Sequence, residues 1–116
     1  MLKTAQEKTC NDITAEQLAE SVLEDNAAQL AADIFKTLGD PTRLKIITLL
    51  LDHEVCVHTI ADTLKVSQSA VSHQLRVMRQ LRLVRFRKEG RHVYYQLDDE
   101  HIHNLIKGAL DHIQHQ

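Results

Sequence analysis

Ile60-Ala-Asp-Thr-Leu-Lys-Val-Ser-Gln-Ser-Ala-Val-Ser-His-Gln-Leu75 is the stretch whose reading decides the fold. Ala61 is small enough to let two helices cross closely, Val66 buries the turn between them, and Ser67 caps the second helix. Ala70, Val71 and Leu75 face inward at helical spacing. Gln68, Ser69, Ser72, His73, Gln74 and Arg76 are left for the outer face. This is a helix-turn-helix pattern, whose second helix lies in the major groove of double-stranded DNA. Amide and hydroxyl side chains there can bond base edges, with Gln suited to adenine and Arg to guanine. Many such turns place glycine where this chain has Lys65, and a non-glycine residue at positive φ is uncommon.

The flanking elements extend the pattern. Val84 to Arg87 and Val93 to Leu97 alternate with period two around Glu89-Gly90, which predicts a β-hairpin. With Arg85, Arg87, Lys88 and Arg91 it would form a basic wing beside the reading helix. Upstream, a short helix is predicted from about Val57 to Leu64. Asp40-Pro41 opens another, with proline at its first position, and Gly39 ends the helix before it. Thr14-Ala-Glu-Gln17 reads as a capping box that starts a helical stripe through Leu18, Val22, Leu23, Leu30, Ile34, Phe35 and Leu38, interrupted near Asp25-Asn26. The expected architecture is mainly α with a β-hairpin wing. Residues 1–13 form a mobile arm, and residues 14–116 form one DNA-binding and dimerisation domain.

Charge is segregated along the chain. Residues 1–35 carry two lysines against seven acidic residues, whereas residues 64–97 carry eight Lys or Arg against the single Glu89. A basic block of this kind is the electrostatic footprint of nucleic-acid binding, although a solvated basic face has the same composition. Its coincidence with the helix-turn-helix favours DNA. No apolar run reaches the roughly 18 residues of a membrane span, and the polar N-terminus is not a signal peptide. Two cysteines, Cys10 and Cys56, are too few for a disulfide scaffold. The expected setting is cytoplasmic, with no membrane partner.

The last predicted helix, capped by Asp98 or Asp99, carries Asp99, His101, His112 and His115. The eleven positions from His101 to His112 return to within about 20° of the same face but lie about 16 Å apart along the axis. Zinc holds its ligands at roughly 2.0–2.2 Å, so one helix cannot close the set around one ion. Two copies packed antiparallel about a two-fold axis can, the Asp99/His101 end of one facing the His112/His115 end of the other. Three imidazoles and a carboxylate suit Zn(II), with Co(II) or Cd(II) as substitutes. The bland alternative is four polar residues on an exposed face. His53 and His103 fit neither role and read as surface residues. His73 and His92 read as DNA-facing or structural.

Taken together, Leu38-Gly-Asp-Pro-Thr-Arg43, Val66-Ser-Gln-Ser-Ala-Val-Ser-His-Gln-Leu75, Gly90-Arg-His-Val-Tyr-Tyr95 and the D-x-H-x10-H-x2-H set resemble the ArsR/SmtB metal-responsive repressors. The resemblance runs from about Ala28 to His115. It implies a homodimeric winged helix-turn-helix that sits on operator DNA with an inverted repeat when metal-free and leaves when Zn(II) binds between subunits. Asp99, His101, His112 and His115 inherit the ligand role. Some members carry a further site before the first helix of the DNA-reading pair, completed from the partner's N-terminal arm. Here that position holds Cys56 and His58, and Cys10 is the thiol the arm offers. A small buried thiol near a surface histidine is the structural alternative.

Two other functional classes fit less of the chain. A winged-helix regulator could sense redox or thiol-reactive signals through Cys10 and Cys56. A zinc hydrolase would need an open metal position and a general base in a pocket, and neither is legible, so no enzymatic activity is expected.

Overall fold

The computed structural model describes residues 12–114, so Cys10 and His115 lie outside the described residues. The chain divides into two compact units, the first ending at Ala32 and the second beginning at Asp33.

The first unit holds helix α1 (Ala15–Ala19) and the start of α2 (Asp25–Leu38). The capping box forms as its residue types require: the Gln17 N–H donates to Thr14 Oγ1 at 3.2 Å, and the Thr14 N–H donates to Gln17 Oε1 at 2.9 Å. The expected interruption near Asp25-Asn26 falls just before Asp25, which opens α2. An aspartate in a first helical turn complements the helix dipole there.

In the second unit, Asp40 caps α3 (Pro41–Leu49) by accepting the Arg43 N–H at 3.0 Å, and Pro41 stands where its missing N–H costs nothing. Next come strand β1 (Val55–Cys56), helix α4 (Val57–Leu64) and helix α5 (Gln68–Gln80). Strands β2 (Val84–Glu89) and β3 (His92–Leu97) and helix α6 (Glu100–Gln114) complete the order. The sheet is antiparallel in the order β1-β3-β2, with Phe86 opposite Tyr95 and Cys56 opposite Tyr94. The hairpin is longer than its alternation predicted, because the ladder runs out to Glu89 and His92. Gly90 takes the left-handed φ of 62° that closes this tight loop.

The core of this unit gathers Ile46 and Ile47 from α3, Ile60 and Ala61 from α4, and Val71, Leu75 and Met78 from α5. Leu83, Val84, Tyr95, Leu97 and Ile106 close it from the sheet and α6. The reading helix is therefore fixed by one apolar stripe, and its other faces are left for chemistry.

Two expectations for the turn need correction. Val66 does not bury the turn; it is 43 % exposed. The turn is closed by backbone: Lys65 takes the left-handed conformation, with φ 61° and ψ 43°. The N–H groups of Lys65 and Val66 both reach the Ala61 carbonyl, capping the end of α4. Ala70 is exposed as well, leaving Val71 and Leu75 as the inward anchors that had been expected.

Candidate functional site

Helix α5 and the hairpin carry the residues expected to face DNA. Ser67 is the N-cap of α5, its Oγ accepting the Ala70 N–H at 3.1 Å and lying 3.2 Å from Ser69 Oγ. Its first duty is thus to the helix. His73 and Arg76 are exposed, and Ser72 is half-buried beside them. The two glutamines are already engaged. Gln68 Nε2 lies 2.9 Å from His58 Nδ1, and Gln74 Oε1 accepts from Arg43 Nε at 2.7 Å.

On the wing, Lys88 and Arg91 are exposed. Arg87 is tied down: its Nε donates to Glu54 Oε2 at 2.8 Å, it also pairs with Glu89, and it stacks 4.8 Å from the centroid of the Tyr94 ring. Glu54 accepts from Gln96 Nε2 as well, at 3.1 Å. The Arg87 guanidinium holds the Glu54 carboxyl below its ordinary range. Arg87 therefore anchors the wing to the segment preceding β1. Sequence pattern alone cannot find such a contact, because Glu54 is 33 residues away.

The residues with metal-ligating chemistry lie on α6 and near β1. Asp99 caps α6, its Oδ1 accepting the Ile102 N–H at 3.1 Å, while Oδ2 lies 3.5 Å from His101 Nδ1. The Ile102 amide, aided by His101, holds the Asp99 carboxyl below its ordinary value. The His101 side chain is 93 % exposed, and His112 is exposed near the far end of the helix. Among the described residues of one chain, no three His, Cys, Asp or Glu side chains gather as a metal group. Asp99 and His101 do come together; His112 stands apart from them along α6.

Near β1, Cys56 Sγ lies 3.2 Å from Thr59 Oγ1, and that hydroxyl lowers the thiol's pKa from its ordinary value. Cys56 is half-buried and His58 exposed. His103 departs from its expected place on the surface. It is half-buried, its Nε2 is 4.0 Å from Asp52 Oδ1, and its buried Nδ1 has no partner among the described residues. His53 is exposed as expected.

The chain and its fold match known proteins. The model of the bacterial regulatory protein arsR family matches residues 40–85, from the cap of α3 into β2. A transcriptional repressor SmtB homolog from Synechocystis is 46 % identical over 98 residues, covering 84 % of this chain and 74 % of the relative. The chain belongs to the ArsR/SmtB family of transcriptional repressors. A cadmium resistance regulatory protein CadC homolog from Staphylococcus aureus is 44 % identical over 70 % of this chain and 68 % of that one. Among solved structures, a homodimeric winged helix-turn-helix DNA-binding domain from Mycobacterium bovis matches with a TM-score of 0.71. It is 28 % identical, and the match covers 81 % of this chain and 94 % of that one. As an ArsR/SmtB repressor, this chain carries α4 and α5 as its helix-turn-helix and β2–β3 as its wing. No described helix is long and apolar enough to cross a membrane.

Proposed function

We propose that this ArsR/SmtB repressor is a zinc sensor: a cytoplasmic homodimer that holds an inverted-repeat operator when metal-free and releases it when Zn(II) binds between subunits. One observation carries the reading. Asp99 and His101 stand at the start of a 15-residue helix, and His112 stands near its end with His115 just beyond. Donors so divided can meet around one ion only when a second copy brings its opposite end alongside.

The donors have the right chemistry. Asp99 is held as the anion, and the exposed imidazoles of His101 and His112 are open to coordination. Leu105 and Ile113 are exposed on the same helix and give a second copy apolar surface to cover. Bound zinc would supply a charge that draws the two ends of paired helices together. The protein's own residues fix where that charge sits. Three nitrogens and one carboxylate favour Zn(II), with Co(II) or Cd(II) as substitutes, and the cadmium-resistance relative fits a family that handles soft divalent ions.

The test is a Co(II) titration of the full chain. Tetrahedral d–d bands are expected in the wild type and in Cys56→Ser, and are expected to vanish in His101→Ala and His112→Ala. Loss in Cys56→Ser with retention in His112→Ala would move sensing to the cysteines.

The lowered thiol of Cys56 supports a second reading, in which Cys56 acts with Cys10 as a thiol-reactive switch or with Cys10 and His58 as an additional metal site. A Cys10→Ser/Cys56→Ser double variant that still binds zinc and still releases DNA would exclude that reading as the sensing route.

A further inference from the structure

The two glutamines of α5 are both amides, yet they are held in opposite senses. Gln68 is engaged through its nitrogen, since Nε2 is 2.9 Å from His58 Nδ1. An amide nitrogen can only donate, so Nδ1 is the accepting nitrogen in this pair. Gln74 is engaged through its oxygen, since Oε1 is 2.7 Å from Arg43 Nε, a group that can only donate. Arg43 is itself fixed: its Nη1 donates to the Thr37 carbonyl at 3.3 Å, and its backbone N–H meets the Asp40 cap. Neither holding residue belongs to the reading helix. His58 lies at the start of α4 and Arg43 in the first turn of α3.

We propose that His58 and Arg43 are positioning residues that make Gln68 present its carbonyl oxygen, and Gln74 its amide N–H, to the bases. This rests on α5 being the helix that enters the major groove. Among the described residues, Gln68 Oε1 and Gln74 Nε2 have no other hydrogen-bond partner. The free acceptor on Gln68 suits a donor edge, adenine N6 or cytosine N4. The free donor on Gln74 suits an acceptor edge, guanine O6/N7 or thymine O4. The second N–H of Gln68 and the second lone pair of Gln74 Oε1 remain, but the holding bonds turn those atoms toward His58 and Arg43, so single contacts through the free ends are expected rather than bidentate reading of adenine. Recognition therefore asks the two positions for bases of opposite hydrogen-bond character.

The experiment uses the full-length metal-free protein on a randomised duplex, with the readout being discrimination at each base pair rather than overall affinity. Gln68→Ala, Gln74→Ala and Arg76→Ala first locate the base pair each residue reads. Gln68→Glu keeps an acceptor oxygen, and His58 can turn to the tautomer whose Nδ1–H donates to the carboxylate, so the preference at its base pair should stay within about twofold of wild type. Gln74→Glu keeps the partner for Arg43 but deletes the free donor. Discrimination at its base pair should fall about tenfold and drift toward cytosine.

His58→Ala should weaken discrimination at the Gln68 base pair by about three- to tenfold, and should do nothing more in a Gln68→Ala background. His58→Asp, which restores an acceptor, should restore that preference despite a uniform loss of affinity. The proposal is overturned if the two Gln→Glu variants behave alike, or if His58→Ala acts equally with and without Gln68. It is also overturned if Arg76→Ala alters preference while neither glutamine variant does. If none of the three alanine variants changes any preference, the assignment of α5 to the groove fails instead.

Discussion

Arg87 Nε donates to Glu54 Oε2 at 2.8 Å, so the most obvious cation of the wing is already neutralised within the protein. A guanidinium paired with Glu54 and Glu89 has little charge left for a phosphate. Lys88 and Arg91 have no such partner among the described residues. In a counterion-release analysis, Lys88→Ala and Arg91→Ala should each flatten the plot of log affinity against log salt by about one unit. Arg87→Ala should flatten it by less than about half a unit. Binding isotherms from about 50 to 200 mM salt decide the matter. Equal slopes for Arg87→Ala and Lys88→Ala would show that the Glu54 pair opens on DNA.

The contrast between Arg87 and its neighbours marks what a sequence can and cannot tell. Signals that act within three or four residues were readable: the Thr14–Gln17 box, the Asp40-Pro41 start, the Ser67 cap and the inward positions Val71 and Leu75. Interactions that join distant segments were not. Arg87 finds Glu54 across 33 residues and Gln74 finds Arg43 across 31, with no periodicity announcing either pair. Strand β1 was missed for the same reason. It is two residues long and exists only because Val55 and Cys56 pair with Tyr95 and Tyr94 of β3. The turn failed differently: burial was assigned to Val66, when backbone capping at Lys65 does the work. For the metal set, residue types and spacing were legible, but their meeting depends on a second copy.

Lys65 offers a stability test. At φ 61° its Cβ crowds the backbone, a strain that glycine lacks. Lys65→Gly should gain about 0.5–1 kcal/mol from relief of that strain, offset in part by glycine's larger entropy when unfolded. Lys65→Val should lose more than this, because a β-branched residue resists the left-handed region. Urea midpoints at constant m-value check both. Destabilisation by glycine would mean that the Lys65 side chain makes a contribution larger than the strain.

Asp99 serves the helix and, on the proposed function, the metal. Asp99→Asn retains an oxygen for the Ile102 N–H, so α6 should persist by circular dichroism. Zinc affinity should fall about tenfold or more, because an anionic ligand is lost. The pH dependence separates the donors. The Asp99 carboxyl sits below its ordinary value, so its contribution to folding is present above the unfolded aspartate pKa and lost only as pH falls through the lower folded one. The pH midpoint of any zinc loss above the ordinary aspartate range is therefore not set by Asp99. Competition titrations should show that midpoint unchanged in Asp99→Asn; a shift of a unit or more would assign the acid limb to the carboxylate.

The last prediction concerns how a metal on α6 is felt by α5. On the proposed function, the ligand set and the reading residues lie on different helices, so the ion can act only by preferring one arrangement of the two protomers over another. Typical coupling of about 1–3 kcal/mol would weaken operator binding by about 5- to 150-fold. By linkage, operator DNA must weaken zinc binding by the same factor. Both halves can be measured: anisotropy of labelled operator with and without zinc, and chelator competition for zinc with and without DNA. His112→Ala should abolish both effects, and Cys56→Ser should abolish neither. The transmission is expected to run through the ring nitrogen of His112 that does not bind metal, donating to a backbone carbonyl near the end of α5. Replacing His112 with an N-methylated imidazole keeps the coordinating nitrogen and deletes that N–H. Zinc should then bind while operator release is lost. If release stays complete in that variant, the hydrogen bond is not the route, and the coupling must pass through the packing of α6 against its partner instead.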